Sequence, residues 1–148
     1  ISAGQLIDRA GVLLGLDFPA GPALDALTCE AEGTLKSFPV KLEELQFSLS
    51  GMENKVKAFA QAGEDLAEIA CFVLDTLAQT VQRVTVAAQD LYPGLPVLCS
   101  GGVASNSRLR YRLTEFCQAV FAPPEYSTDN AMGTAILTCR AWERANGQ

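Results

Sequence analysis

The chain has 148 residues, 49% of them hydrophobic and 19% charged, a composition typical of one globular domain and not of a disordered segment. Its 17 acidic and 11 basic side chains give a net charge of −6, so its surface as a whole is not expected to bind a nucleic-acid backbone strongly. It contains no histidine, which excludes a Ser-His-Asp triad, a Cys-His pair or a histidine-based zinc site formed by these residues alone.

The cysteines and the hydrophobic stretches bear on the cellular compartment. Five cysteines occur without a C-x-x-C pair, each at an apolar position of its local pattern. This predicts reduced, buried thiols in a cytoplasmic protein, with disulfides or a metal site as alternatives. The longest apolar-rich stretch, 66–91, includes Glu68, Asp75 and Arg83, so we expect no membrane span. The chain begins at Ile1 without a signal-peptide pattern, which predicts a piece of a longer protein.

Two helices are predicted near the N-terminus. Ser2, with Gln5 three residues later, has the pattern of a capping box and opens the first helix. Gly15 is placed to end that helix. The Gly-Pro pair at 21–22 begins a second helix, which we expect to run to about Glu32.

The middle of the chain is predicted to contain two more helices. Residues 33–51 are less regular, and 47–51 alternate as either a short strand or a packed loop would. A helix is expected near 52–60, followed by a break at Gly63. Apolar residues then recur at steps of three and four over 64–92, which predicts a long amphipathic helix.

The C-terminal part, 95–148, follows a β-α-β-α order. Strands are expected at 96–100 and 119–122, and helices at 104–117 and 129–144. This order favours parallel strands joined by a right-handed crossover. We therefore predict a helix-rich α/β fold, in which a helical part, 1–94, precedes the β-α-β-α unit.

The glycine turn, residues 101–106, is the most informative segment. A short apolar run ends in Gly101 and Gly102, and a helical pattern opens after Asn106. Glycine lets the backbone approach a ligand closely, and N–H groups at a helix start can face a negative or polar group. A plain strand-to-helix turn is the alternative, because an isolated glycine pair is a weak signal.

Four motifs in order resemble one protein family. Residues 4–22 are similar to the pattern G-E-A-F-D-K-x-A-x-x-L-G-L-x-Y-P-G-G-P, and 47–54 to F-S-F-S-G-L-K-T. Residues 101–106 are similar to G-G-V-x-A-N, and 127–131 to C-T-D-N-A. The combination resembles the C-terminal half of the tRNA threonylcarbamoyladenosine-synthesis proteins, the TsaD family, long labelled O-sialoglycoprotein endopeptidases or glycoproteases. The resemblance covers nearly the whole chain.

The resemblance implies a fold, a reaction and partners. The fold would be a partial lobe of the actin-like, sugar-kinase-like ATPase fold, with the ligand between this lobe and the N-terminal lobe of the same protein. In the family, threonylcarbamoyl-adenylate is the donor, and the adenosine next to the anticodon in tRNA is the acceptor. The implied ligands are an adenine nucleotide or that adenylate, and a divalent iron or zinc ion bound only with the N-terminal half. tRNA would bind only through the full protein, alongside possible partner subunits of tRNA modification. The chain alone would be inactive and would self-associate.

The resemblance also assigns site residues. The nucleotide or adenylate side would be formed by Asp8, Gly21, Gly101, Gly102 and Asn106. Asp129 matches the family's carboxylate ligand to the metal, completed by two histidines of an H-x-x-x-H in the absent half. The alternatives are a solvated helix charge for Asp8 and simple helix N-caps for Asn106 and Asp129.

Several positions depart from the family motifs. Arg9 stands where the pattern has lysine, Ala20 where it has the first glycine of P-G-G-P, and Glu53-Asn54 where it has Lys-Thr. Residues 132–134 also replace the pattern A-M-I-A. The departures predict a divergent paralogue, with a catalytically silent nucleotide-sensing or scaffolding subunit as the alternative function. A glycopeptidase activity follows only from the old family label.

Two further features are predicted to be structural. Arg108, Arg110 and Arg112 form a basic cluster beside the glycine turn, expected as a solvated face and not as a phosphate or RNA contact. Trp142 lies on the apolar face of the last predicted helix and is expected in the core, not in a ligand platform.

Overall fold

The computed structural model describes residues 1–31, 35–123, 127 and 131–145. Within them the helices are α1 (Ala3–Leu13), α2 (Gly21–Leu27), α3 (Met52–Ala62), α4 (Leu66–Leu91), α5 (Ser107–Cys117) and α6 (Ala131–Ala145), with short 3₁₀ turns at Thr28–Glu30 and Gly102–Ser105. The strands are β1 (Leu42–Glu43), β2 (Gln46–Phe47), β3 (Leu98–Cys99) and β4 (Val120–Phe121). The chain is therefore a helix-rich α/β protein, as predicted.

The first helix begins and ends where the sequence predicts. The backbone N–H of Gln5 donates to Ser2 Oγ at 3.2 Å, and that of Ser2 donates to Gln5 Oε1 at 3.0 Å, which completes the capping box. Gly15 follows the helix with a φ of +80°. The second helix is shorter than predicted, because the α-helical hydrogen bonding gives way to a 3₁₀ turn that ends at Glu30. Glu32 lies outside the described residues.

The long helix α4 organises the core. Its N-terminus is capped by Asp65, whose Oδ1 accepts from the N–H groups of Ala67 at 2.9 Å and Glu68 at 3.2 Å. Its 26 residues contact α1, α2 and α3 on one side and α5 on another. Ile69 and Val73 are fully buried in the larger of two apolar clusters, which also contains Leu6. The predicted amphipathic helix is confirmed, and it joins the N-terminal helices to α5.

A short hairpin precedes α3. Leu42 pairs with Phe47 and Glu43 with Gln46 in antiparallel register. The strand therefore ends at Phe47, and the loop after it buries Leu49, which is 1% exposed. Both alternatives left open for 47–51 hold in part, as a strand end followed by a packed loop.

The predicted parallel strand pair is confirmed, although the strands are shorter than expected. Leu98 lies opposite Val120, and Cys99 lies opposite Phe121. Cys99 and Phe121 pack against the smaller apolar cluster with α5, whereas Leu98 and Val120 are 73% and 61% exposed. The helix expected from residue 104 begins instead as the 3₁₀ turn Gly102–Ser105.

Two expectations about burial are wrong. All five cysteines are free, but Cys29 and Cys139 are exposed and Cys99 is half-buried, so the prediction of five buried thiols is fully met only at Cys71 and Cys117. Trp142 is 58% exposed and does not enter the core, because α6 is exposed over most of its length. Apolar spacing identifies one face of a helix but does not say what covers that face. No described helix is both long and apolar enough to cross a membrane.

Candidate functional site

Two segments that are far apart in sequence, the start of α2 and the glycine turn, contact the same helix, α1. A Cβ added at Gly21, the first residue of α2, would lie 3.8 Å from Ile7 Cγ2 of α1. A Cβ added at Gly4 of α1 would lie 3.8 Å from Val103 Cγ2 of the glycine turn. The start of α2 and the glycine turn therefore both lie against α1.

Asp8 holds the loop that leads into α2. Its Oδ1 accepts a hydrogen bond from the N–H of Ala20 at 3.0 Å, and the contact is partly buried. Ala20 is the N-cap residue of α2 and provides no side-chain cap of its own. Asp8 is therefore a loop contact beside Gly21 and not a solvated helix charge.

The motif departure at Ala20 is accommodated by α1. Ala20 is fully buried. Its Cβ occupies the space that a side chain at Gly11 would need, so the two backbones approach closely only because position 11 is glycine. The extra methyl group at position 20 is thus packed against α1 and does not point into the surface beside Asp8.

Asn106 is the N-cap of α5, as its alternative reading predicts. Its side chain is 8% exposed, and its Oδ1 accepts from the N–H of Leu109 at 3.0 Å. Its Nδ2 donates to Asp25 Oδ1 at 2.8 Å. The amide group is therefore fixed in orientation by a cap bond on one side and a carboxylate on the other.

Asp25 is a site residue that sequence reasoning missed. Besides the bond from Asn106, it accepts from the N–H of Ser107 at 2.9 Å and from Ser107 Oγ at 2.7 Å. It lies four residues after Gly21, one helical turn along the same side of α2. That spacing is the one signal that could have found it, because its partners lie 81 and 82 residues away in sequence.

The glycine turn presents open backbone. Gly101 has φ +100° and ψ 164°, a conformation essentially restricted to glycine. A Cβ at Gly101 or Gly102 would meet no atom within 4 Å, so a ligand can approach both residues. Among the described residues, Ser105 Oγ is the buried side-chain polar atom without a hydrogen-bond partner. The backbone of the turn is thus open, whereas the unpartnered hydroxyl beside it is buried.

The expected metal ligand lies outside the described residues. Asp129 and its neighbours 128 and 130 are not described, so both its ligand role and its N-cap alternative stay predictions. Within the described ranges, no group of three His, Cys, Asp or Glu side chains is placed to hold a metal ion.

The arginine cluster is not a solvated face. Arg108 Nη1 donates to both carboxylate oxygens of Asp75 at 2.8 Å, and its Nη2 donates to Cys71 Sγ at 3.0 Å. The guanidinium of Arg110 lies 4.8 Å from the centre of the Phe121 ring. Burial raises the pKa of the Cys71 thiol, and the Arg108 charge only partly offsets that rise. The expectation is wrong because α5 packs its arginines against α4 and β4.

Comparison with known proteins agrees with the motif resemblance. The family model described as TsaD, tRNA N6-adenosine threonylcarbamoyltransferase, matches residues 1–136. Curated proteins with that name share 32% identity with 97% of this chain in Prosthecochloris aestuarii and 34% with 95% of it in Moorella thermoacetica. The matches cover 48% and 44% of those relatives, so the chain spans about half their length. On the motifs and these matches together, the chain belongs to the TsaD family.

Proposed function

We propose that this chain forms the adenylate-binding side of a tRNA N6-adenosine threonylcarbamoyltransferase, in one partial lobe of an actin-like ATPase fold. The observation that carries the proposal is that α1, which holds Asp8, contacts both the start of α2 at Gly21 and the glycine turn, while Asn106 is bonded to Asp25 of α2. These residues match the family's nucleotide-side positions and come from two segments far apart in the chain, which the bond from Asn106 to Asp25 joins across 81 residues. In a cytoplasmic enzyme of this kind, tRNA would bind only through the full protein.

The side chains of this site suit the nucleoside end of an adenylate. A carboxylate has about four acceptor positions, so Asp8 can accept from ribose hydroxyls while it keeps its bond to Ala20. The open backbone at Gly101 and Gly102 allows close approach of the ligand. The bound adenylate would supply the activated carbonyl group, and this chain would bind and orient its adenosine.

The metal would be held only in part by this chain. We propose Asp129 as a carboxylate ligand of iron or zinc, together with two histidines of the N-terminal half, as the family motif implies. Such an ion acts as a Lewis acid that polarises or positions the donor. The chain contains no histidine, so by itself it would hold one of the three ligands and would show no transfer activity.

The N-terminal lobe would also cover apolar surface. Leu98 and Val120 form an exposed face on a parallel strand pair, a type of sheet normally covered on both faces. Without that lobe, the exposed face favours self-association. A monomeric mass for residues 1–148 by light scattering at micromolar concentration would contradict this part of the proposal.

A catalytically silent nucleotide-sensing or scaffolding subunit is the second candidate. Arg9 Nη1 and Glu53 Oε2 lie 3.0 Å apart, at two positions where the family patterns have lysine. Lys57 also pairs with Glu53, at 2.8 Å. Arg9, next to Asp8 in sequence, is thus paired with Glu53, a carboxylate that the family pattern lacks. This favours altered chemistry at this end of the site.

The test is calorimetric titration of an adenine nucleotide into the native protein that carries this chain. Asp8→Ala and Asn106→Ser should each weaken binding about 5- to 100-fold, since a lost hydrogen bond at a desolvated site costs about 1–3 kcal/mol. Serine at position 106 keeps an N-cap oxygen but loses the bond to Asp25, so a thermal melt of the same variant separates a lost ligand contact from a loosened helix start. Asp17→Ala, at an exposed aspartate of the loop before α2, is the control and should leave affinity unchanged.

The outcomes separate the candidates. Nucleotide binding together with threonylcarbamoyl transfer to tRNA supports the enzyme, whereas binding without transfer supports the silent subunit. Unchanged nucleotide affinity in both Asp8→Ala and Asn106→Ser would remove the nucleotide proposal altogether.

A further inference from the structure

A second groove lies between α5, α4 and the 3₁₀ turn that follows α2. Its volume is about 610 Å³, and its lining includes Asp75, Gln79, Arg108, Tyr111, Arg112 and Phe116. Neither Asp8 nor Gly21 nor the Gly101-Gly102 pair lines it. Ser107, which follows Asn106 and is bonded to Asp25, does line it, so the groove adjoins the α5 end of the proposed adenylate site.

The groove combines exposed aromatic rings with the guanidinium of Arg112, which has free donors. Tyr111 is 70% exposed and Phe116 is 60% exposed. The guanidinium of Arg112 lies 5.7 Å from the centre of the Phe116 ring, and its Nε donates to Gln82 Oε1. Because a guanidinium carries five N–H donors, both Nη groups of Arg112 can still donate to a ligand.

Arg108 forms the fixed part of the groove. Its guanidinium is bound to both oxygens of Asp75, to the backbone oxygen of Thr28 and to Cys71 Sγ. These four contacts hold the base of the groove in place and leave its aromatic wall, Tyr111 and Phe116, open.

The charge of α5 is opposite to that of the chain. Helix α5 holds three arginines and the single acid Glu115, a net charge of +2, in a protein whose net charge is −6. Three of the chain's 11 basic residues thus fall within 108–112. Arg108 is neutralised by Asp75, and Arg110 lies over the Phe121 ring outside the groove. Arg112 is therefore the cation of α5 that can face a ligand there, and beside exposed rings it favours a partner that combines an anionic group with flat groups.

We propose that this groove binds a single-stranded segment of RNA. A base would stack on Tyr111 or Phe116, and the Nη groups of Arg112 would donate to a phosphate oxygen. The inference rests on the proposed function, whose acceptor is a tRNA, and adds a contact surface outside the adenylate site. The position of Arg112 beside two exposed rings favours RNA, which offers phosphates and bases together, over a protein segment.

The experiment measures fluorescence anisotropy of a labelled RNA stem-loop with the native protein that carries this chain. Tyr111→Ala should weaken binding about 5- to 100-fold, the loss expected for one stacked base. Arg112→Gln should lower the slope of log affinity against log salt concentration by about 1. Tyr92→Ala is the matched control, because this tyrosine is 57% exposed and does not line the groove. It should leave the affinity unchanged.

Two further measurements make the result decisive. A fully paired RNA duplex should bind more weakly than the stem-loop, because its bases cannot stack on the protein. Adenine nucleotide affinity, titrated on the same samples, should be unaffected by Tyr111→Ala. If RNA affinity is also insensitive to Tyr111→Ala, Phe116→Ala and Arg112→Gln, the RNA proposal is overturned. A protein segment is then the expected occupant of the groove. If the unsubstituted protein binds no nucleotide, the proposed function fails instead, whatever the RNA result.

Discussion

The contacts of Asp25 predict that Asp25→Ala destabilises the protein and loosens the glycine turn. The substitution removes three hydrogen bonds, donated by Asn106 Nδ2, by the backbone N–H of Ser107 and by Ser107 Oγ. It also removes a negative charge from the N-terminus of α5, where the helix dipole favours one. All three bonds join α2 to α5, so their loss frees the start of α5 from the N-terminal helices.

The magnitude follows from the burial of each donor. Asn106 is 8% exposed, and a buried donor left without a partner costs about 1–3 kcal/mol. Ser107 is exposed, so water can replace Asp25 at both of its donors and their loss adds little. The dipole contributes about 0.3–1 kcal/mol. We expect a loss of about 2–3 kcal/mol in the free energy of unfolding, or about 5–10 °C in melting temperature for a chain of this size.

The assay is urea unfolding followed by circular dichroism, with a thermal melt as the second readout. Asp17→Ala is the control, since it removes one exposed aspartate near the same end of α2. Its free energy of unfolding should stay within about 0.5 kcal/mol of the unsubstituted protein.

A double-mutant cycle with Asn106→Ala tests the reasoning directly. If Asp25 acts through Asn106, the double variant should lose about 0.5–3 kcal/mol less than the sum of the two single losses. Additivity within about 0.3 kcal/mol would refute the reasoning, because the two side chains would then stabilise the protein independently.

Three other outcomes are expected. Gly101→Ala should cost about 1–3 kcal/mol in unfolding free energy because its φ of +100° disfavours any side chain, while Gly102→Ala, with open space around it, should be nearly neutral in the same urea titration. Thiol titration of the folded protein should modify the exposed Cys29 and Cys139 rapidly, the half-buried Cys99 more slowly, and the buried Cys71 and Cys117 only on unfolding, because burial raises the pKa of these last three thiols. Five thiols that react rapidly would contradict the burial. Hydrogen bonds from a lysine and an arginine hold the pKa of Glu53 below its ordinary value of 4.5, so its stabilisation is complete above that pH and is lost as the pH falls through the lowered value. Glu53→Gln should therefore reduce the loss of melting temperature on acidification, and an unchanged pH profile would show that the ion pairs contribute nothing.

Features whose interactions lie within a few residues could be predicted from the sequence alone. The capping box of Ser2 and Gln5 joins groups three residues apart, and the end of α1 at Gly15 depends on one backbone conformation. The amphipathic pattern of α4 likewise repeats within each helical turn, so the helix could be predicted close to its true bounds, Leu66–Leu91. The four motifs were sufficient to place the chain in its family, because motif order is a property of sequence alone.

The tertiary structure decided which face of each element is covered. Arginines at 108, 110 and 112 have the same spacing whether they face water or another helix, and only the packing of α5 on α4 placed Arg108 against Asp75. The spacing in α6 correctly predicted an apolar face, but Trp142 on that face is exposed and not buried. Periodicity defines a face, while burial depends on neighbours that the pattern does not contain.

The candidate site shows the same division. Asp8, Gly21, Gly101, Gly102 and Asn106 could be selected from motifs, but the structure alone shows that the glycine turn lies against α1 and that Asn106 is bonded to α2. The bond between Asp25 and Asn106 spans 81 residues, and no local signal reports a contact of that range, because its energy depends on two helices first being packed side by side.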